Sequence, residues 1–314
     1  MKLKLDPGKY VVAVSGGVDS VVLLDMLVRM NDERRTKNEE VANSPFLLPP
    51  SPFTFIVAHF DHGIREDSAD DQKFVGDLAK QYGLPYIYEA GKLGPKTSEA
   101  AARKARYDFL HRVRTSHKAQ AVITAHHEDD LLETALLNLA RGTNRKGLSS
   151  LRSTETLKRP LLSYSKQQLI EYAKAHDLTW REDSTNADVK YLRNRIRQEL
   201  MPKLSAEERR KWLAILGQTQ ELNDTIDTLL GEQLEQQPQA TMLDRRWFIA
   251  LPHKVAREVM ATWLRRQGVT IDQPMLERLV ISAKTRLPGK QVDVSGSFML
   301  KIAKYKLALT NRDR

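Results

Sequence analysis

Cysteine is absent from this 314-residue chain. No disulfide framework, thiolate nucleophile or cysteine-ligated zinc can therefore contribute to its fold or its chemistry. No apolar run is long enough to cross a bilayer, so no membrane partner is expected. The first ten residues lack the apolar stretch of a secretory signal, so no targeting peptide is expected and the expected compartment is cytoplasmic. Two common nucleotide motifs are also absent, the Gly-Lys-Ser/Thr ending of a Walker A loop and the GxGxxG dinucleotide fingerprint. Acidic residues are in the minority, with 50 Lys and Arg against 40 Asp and Glu, a net charge of +10 and a pI of 9.6. That balance suits a polyanion such as nucleic acid or an anionic surface, and it equally suits a plain basic soluble protein. From residue 254 onward there are 13 Lys and Arg against 5 Asp and Glu, so eight of the ten net charges lie in the tail.

A chain of this length can bury a sizeable core and is expected to form two domains. Its first half reads as strands at residues 10–14, 53–59, 85–88 and 121–125. Helical patterns alternate with them at 20–30, 67–82, 98–116 and 128–140. Residues 31–53, charged and then broken by Pro45, Pro49, Pro50 and Pro52, read as an exposed loop. Repeated strand–helix units predict an α/β fold, a doubly wound parallel sheet of Rossmann-like type with helices on both faces. Residues 166–176 read as helix, 180–191 as loop and 192–200 as helix. A long polar helix over 206–233 reads as a connector, followed by a glutamine-rich linker at 234–240. The remainder predicts helices at 253–267 and 273–282 and a hairpin from runs at 291–294 and 299–309, a small mixed α+β domain. The expected boundaries are a catalytic domain at 1–205, a helical connector at 206–239 and a basic carboxy-terminal domain at 240–314.

The strongest local signal is a short β-branched run followed by Ser15, Gly16, Gly17, Val18, Asp19 and Ser20 and then a helix. Two glycines allow close backbone approach, and the first N–H groups of a helix have no intrahelical partner and hold anions well. The plain alternative is a capped turn in which Asp19 or Ser20 serves the helix start. Ala58 precedes the run His59-Phe60-Asp61-His62-Gly63-Ile64-Arg65 at the end of the second strand, the edge where ligands bind in such sheets. Its His-x-x-His spacing has no closing set of zinc ligands, and a structural role suits at least one of the two histidines.

His126-His127-Glu128-Asp129-Asp130-Leu131-Leu132-Glu133-Thr134 follows the fourth strand, with four acids in six residues. One or two acids can serve a helix start. Asp130 and Glu133, three apart on one face, could share a magnesium ion, and that reading is preferred. Arg141-Gly142-Thr143-Asn144-Arg145 suits an anion-gripping loop or, more plainly, a solvated basic turn. In Tyr191-Leu192-Arg193-Asn194-Arg195-Ile196-Arg197 three arginines spaced by two cannot all share one helical face.

These residues resemble a family. The glycine turn resembles the PP-loop of N-type ATP pyrophosphatases. The ordered set SGGVDS, HFDHGIR, ARKARY at 102–107, HHEDDLLET, RGTNRKGL, RPLL at 159–162 and DSTN with YLRNRIR resembles the bacterial tRNA(Ile)-lysidine synthetases over roughly 10–205. The tail resembles that family's short form, with one small carboxy-terminal domain. The resemblance implies a cytoplasmic ligase that uses ATP and Mg2+ to join L-lysine to the wobble cytidine of an isoleucine tRNA with a CAU anticodon. An adenylated base forms with release of pyrophosphate, and the lysine amine then displaces AMP. It further implies that Ser15, Gly16, Gly17, Val18, Asp19, Ser20, Ala58 and His59 hold the nucleotide. Asp19, Asp130 and Glu133 would hold the metal or the lysine. Arg103, Arg106 and Arg195, with Asp130, would serve the reaction, and Arg65, Arg141, Arg145, Arg193 and Arg197 the tRNA. A homodimer is left open. Rival readings are a tRNA-thiolating enzyme, an ammonia- or glutamine-dependent synthetase, and a non-catalytic ATP-responsive RNA-binding protein.

Overall fold

A computed structural model describes the chain apart from residues 43–51, 64–67, 92, 95–96, 144, 182–191, 296 and 312–314. Arg65, Asn144, Tyr191 and the Asp183–Asn186 motif lie outside the described residues. The chain divides into two compact units, Met1–Leu216 and Gly217–Arg314.

In the first unit β1 (Gly8–Ala13) leads into α1 (Val18–Ala42), β2 (Phe53–Asp61), α2 (Ser68–Gln81) and β3 (Tyr86–Ala90). Next come α3 (Glu99–Ser116), β4 (Ala121–Ile123), α4 (Glu128–Ala140), the single turn α5 (Arg145–Leu148) and β5 (Leu157–Lys158). The sheet order is β3-β2-β1-β4-β5, and every pairing is parallel. Period-two alternation sorts the side chains between two faces. Tyr10, Val12, Phe55 and Val57 pack with Leu23, Leu27, Val75 and Leu78 on one face. Val11, Ala58 and Val122 pack with Phe109, Leu110 and Val113 of α3 on the other. Helices thus cover both faces, as the alternation implied. The first is α1 with α2 and with α6 (Lys166–Ala175), whose Leu169 and Ala173 complete that core. Inside it Asp25 is 1% exposed and takes Tyr82, Tyr172 and Arg29 at 2.8, 2.8 and 2.7 Å, tying α1 to α2 and α6.

α1 corrects the loop read over 31–53, because it continues to residue 42. Residues 31–42 contain no glycine or proline, the two residues that most disfavour a helix interior. After α6 come α7 (Leu192–Arg195) and a wider turn, Ile196–Leu200, in place of one regular helix. Ile196 and Met201 pack with Leu132, Ala135 and Leu137 of α4 and with Leu216 of α8 (Ala206–Glu235).

The second unit takes the end of α8, where Leu230 and Leu234 are buried. It continues with β6 (Met242–Asp244), α9 (Arg245–Ala250), α10 (His253–Arg266) and α11 (Gln273–Thr285). It closes with β7 (Lys290–Ser295), β8 (Phe298–Ile302) and β9 (Lys306–Asn311). The expected two-strand hairpin is instead an antiparallel four-stranded sheet, β6-β9-β8-β7. The run at 299–309 is broken into β8 and β9 because the chain turns at Ala303, whose N–H bonds Lys306 O at 2.9 Å. Arg245, 6% exposed, donates to Ala283 O, Ala303 O and Arg286 O at 3.0, 3.1 and 2.5 Å, satisfying the ends of an adjoining helix and turn.

Candidate active site

β1 and β4 are neighbours in the sheet, yet the chain leaves β1 toward β2 and leaves β4 toward β5. Their carboxyl ends form the switch point at which open parallel sheets leave a crevice. The glycine turn and the acidic start of α4 issue from those two ends.

At the first, Val14 N–H bonds Ala58 O at 3.0 Å, and the buried His59 ring meets Val14 O through Nδ1 at 2.8 Å. Ala58 and His59 therefore brace the turn from below. Gly16 has φ +92°, a left-handed conformation that favours glycine. Gly17 O accepts from Ser20 N, Val21 N and Ser20 Oγ at 3.0, 3.1 and 2.8 Å, and Ser20 Oγ in turn accepts Ser15 N–H at 3.2 Å. Arg181 N–H closes on Gly16 O at 3.0 Å, and its side chain reaches Asp71. The turn is thus pinned through its carbonyls, while the leading N–H groups of α1 belong to a helix start.

At the second, His127 caps α4, and Asp130 Oδ2 accepts its backbone N–H at 3.0 Å. The His127 ring is 8% exposed, with Nε2 lying 3.6 Å from Asp19 Oδ2 and 3.5 Å from Asp130 Oδ2. One imidazole therefore sits between two carboxylates from helix starts 111 residues apart in sequence. Burial opposes its charged form, but Asp19 and Asp130 outweigh that and hold its pKa above the ordinary value. Burial likewise works against the Asp19 carboxylate, and His127 together with Lys166 overcomes it, so the Asp19 pKa is lowered. Lys166 Nζ, from the first residue of α6, bonds Asp19 Oδ1 at 2.7 Å.

Arg103 and Arg106 of α3 form a separate wall, with their guanidinium carbons 4.9 and 5.5 Å from the Tyr107 ring centre. His126 faces this wall and bonds Thr124 through Nδ1 at 2.9 Å. Burial, Arg159, Arg106 and Arg103 push its pKa down to about 3, so the ring is neutral. The acidic and basic walls meet at consecutive residues, His126 and His127.

Glu133, a candidate magnesium ligand by its spacing, faces two arginines. It is buried, and its two oxygens lie 2.8 Å from Arg193 Nε and 2.9 Å from Arg197 Nε. The Arg193 approach is a charge contact rather than a directed hydrogen bond. Arg197 also comes within 3.6 Å of Asp130. Arg193 and Arg197, four apart, thus share one face. Arg195 between them points elsewhere, toward Glu199 at 3.7 Å, and is not brought to the acidic pair. Arg141 is exposed at the end of α4 and Arg145 half-buried at the start of α5. Lys166, Arg159 and Arg181 were not singled out as site residues from the sequence. No local spacing ties residue 166 to residue 19.

A family model described as the PP-loop domain matches residues 2–204. The chain belongs to the PP-loop domain family. It is similar to the tRNA(Ile)-lysidine synthase of Solibacter usitatus (strain Ellin6076), 31% identical over 92% of this chain and 66% of that protein. It is also similar to the tRNA(Ile)-lysidine synthase of Geobacter sulfurreducens, 37% identical over 63% of this chain and 41% of that protein. The chain spans about half the length of the curated relatives it matches, from 30% to 66% among eight of them. Among solved structures, the U34-tRNA thiolase NcsA from Methanococcus maripaludis with its 4Fe–4S cluster is similar at TM-score 0.53. It is 18% identical, over 70% of this chain and 73% of that one. That likeness is one of fold. The glycine turn at residues 15–20 lies within the matched span.

Proposed function

We propose that this chain joins L-lysine to the wobble cytidine of an isoleucine tRNA with a CAU anticodon, at the expense of ATP. The observation that carries the reading is the convergence of Asp19, His127, Asp130 and Lys166 beside the PP-loop. Similarity to proteins named tRNA(Ile)-lysidine synthase supplies the substrate class. The PP-loop amides with Ser15 and Ser20 bind the phosphates of ATP. Arg103 and Arg106 stabilise the charge that develops around the α-phosphorus when the cytosine oxygen attacks it. Pyrophosphate leaves as the cytosine oxygen bonds the α-phosphorus; the lysine ε-amine, freed of its extra proton, then bonds C2 while the C2–O bond breaks and AMP departs. The target base lies in a single-stranded loop, so it enters the pocket without breaking a duplex.

Asp19 and Asp130 fit Mg2+. Two carboxylates facing one point are the protein share that magnesium takes when substrate phosphates and water complete its shell. Lys166 bonds Asp19, and the His127 ring faces both carboxylates. A bound metal would supply charge neutralisation at the phosphates. Glu133, clamped by Arg193 and Arg197, instead positions those arginines at the edge of the acidic pair.

The test is a pyrophosphate-release assay with ATP, lysine and separate tRNAs, paired with labelled lysine. The expected result is release that depends on the CAU-anticodon tRNA, with lysine attached to the RNA. Release indifferent to tRNA would favour a small-molecule synthetase. Release accompanied by thiolation would favour the tRNA-thiolase reading, although the chain has no cysteine to hold a cluster. ATP binding without any release would leave an RNA-binding protein.

A further inference from the structure

Arg159 follows β5 and is only 7% exposed, yet no carboxylate pairs with it among the described residues. One terminal nitrogen bonds Arg152 O, and Nε is buried without a hydrogen-bond partner. A guanidinium taken out of water costs several kcal/mol unless an anion compensates it. Burial lowers its pKa, the neighbouring Tyr107 hydroxyl works against that, and Arg103 adds to it.

Arg159 also lines a cavity of about 350 Å³ whose other walls include Lys2, Lys4, Ser153, Ser163 and Tyr164. Alternation in the first residues explains the two lysines. Leu3 and Leu5 are buried in the core, so Lys2 and Lys4 fall on the opposite side of an extended segment. Tyr164 OH fastens that segment, accepting Lys2 N–H at 2.8 Å and donating to Lys2 O at 2.6 Å. Ser153 Oγ accepts Arg159 N–H at 2.9 Å and holds the arginine's backbone in place. The cavity therefore carries three cations and several hydroxyls and no acidic lining residue.

We infer that this cavity is a phosphoryl-oxyanion site, distinct from the PP-loop, built from Lys2, Lys4 and Arg159. A phosphate offers several acceptor oxygens to a forked donor and two point charges, which a carboxylate or chloride matches less well. Two sources carry that group, an RNA backbone phosphate and free phosphate or pyrophosphate. The site itself does not rest on the lysidine reading, since a phosphoryl group would bind there whatever reaction the PP-loop serves.

The experiment compares the full wild-type chain with a Lys2→Ala/Lys4→Ala double variant, which keeps both core leucines. Heat unfolding is followed with inorganic phosphate and with chloride at matched ionic strength. The expected result is a phosphate-specific rise in Tm that falls by at least about half in the double variant. Equal rises in the two proteins, or no phosphate-specific rise in wild type, overturn the site. A parallel arm measures binding of an anticodon stem-loop RNA against salt. An affinity loss of about tenfold, with a salt dependence shallower by about one to two phosphates, assigns the site to RNA. Unchanged RNA affinity with the phosphate effect lost assigns it to free phosphate or pyrophosphate. RNA affinity lost while the phosphate effect persists overturns it, leaving two surface lysines only. Arg159→Lys and Arg159→Gln give a second check. Lysine should retain most of the phosphate effect and glutamine little. If glutamine unfolds the chain, the lysine pair decides alone.

Discussion

Asp130 accepts the His127 backbone N–H and also faces the ring that Asp19 faces. Asp130→Asn keeps the accepting oxygen at the start of α4 and removes the charge. Lysidine formation should fall by at least about 100-fold, as when one charge-stabilising group leaves a transition state. Gel-shift affinity for tRNA should stay nearly unchanged. Binding lost with normal chemistry on bound tRNA would refute this role. The His127 ring gives a pH signature. Its folded pKa is raised, so its contribution to stability is fully present below the ordinary imidazole value and is lost as pH rises through the folded value. The lowered Asp19 pKa contributes above the ordinary carboxylate value and is lost as pH falls through the folded one. His127→Asn should therefore cost more stability near about pH 5 than near about pH 9, by urea unfolding. An equal cost at both would show that the ring stays uncharged.

Among the elements, the turn between β1 and α1 depends on backbone that only glycine adopts easily. At Gly16 (φ +92°) an alanine Cβ would make only ordinary contacts, to Phe74, Val75 and Arg181. The strain of Gly16→Ala is thus conformational, about 1–2 kcal/mol, and is relieved by re-aiming the turn. ATP affinity measured by calorimetry should weaken about tenfold while Tm shifts by only a few degrees. Unaltered affinity would separate the turn from the phosphates. In the carboxy-terminal unit, Arg245→Met leaves the carbonyls of Ala283, Ala303 and Arg286 unpaired. The expected cost is about 3 kcal/mol, read from the denaturation midpoint of that unit. A cost under about 1 kcal/mol would mean that water takes over those carbonyls.

Over the whole molecule, charge is unevenly shared, with most of the net positive charge beyond residue 254. Lys301, Lys304 and Lys306 stand exposed on and between β8 and β9. If this unit holds tRNA phosphates, reversing all three to Glu should weaken tRNA binding about tenfold or more and flatten its salt dependence. ATP affinity should not change. Equal loss of both ligands in a folded protein would count against a docking role for the tail. Among the described residues no helix is long and apolar enough to cross a membrane.

Spacing along the chain alone was enough to place α4 at residues 128–140, the glycine turn after β1 and the parallel alternation of strand and helix. Each of these is a local pattern whose geometry the covalent chain imposes within a few residues. It could not place Lys166 on Asp19, seat His127 between two carboxylates, or turn Glu133 toward Arg193 and Arg197. Those outcomes depend on which helix starts meet at the β1–β4 crevice. The two-residue strand β5 and the three-residue β6 were equally hidden, since segments so short are strands only because a neighbour accepts their hydrogen bonds. Tertiary packing decided which charges face one another, because Coulombic partners are chosen by distance in space and not along the sequence.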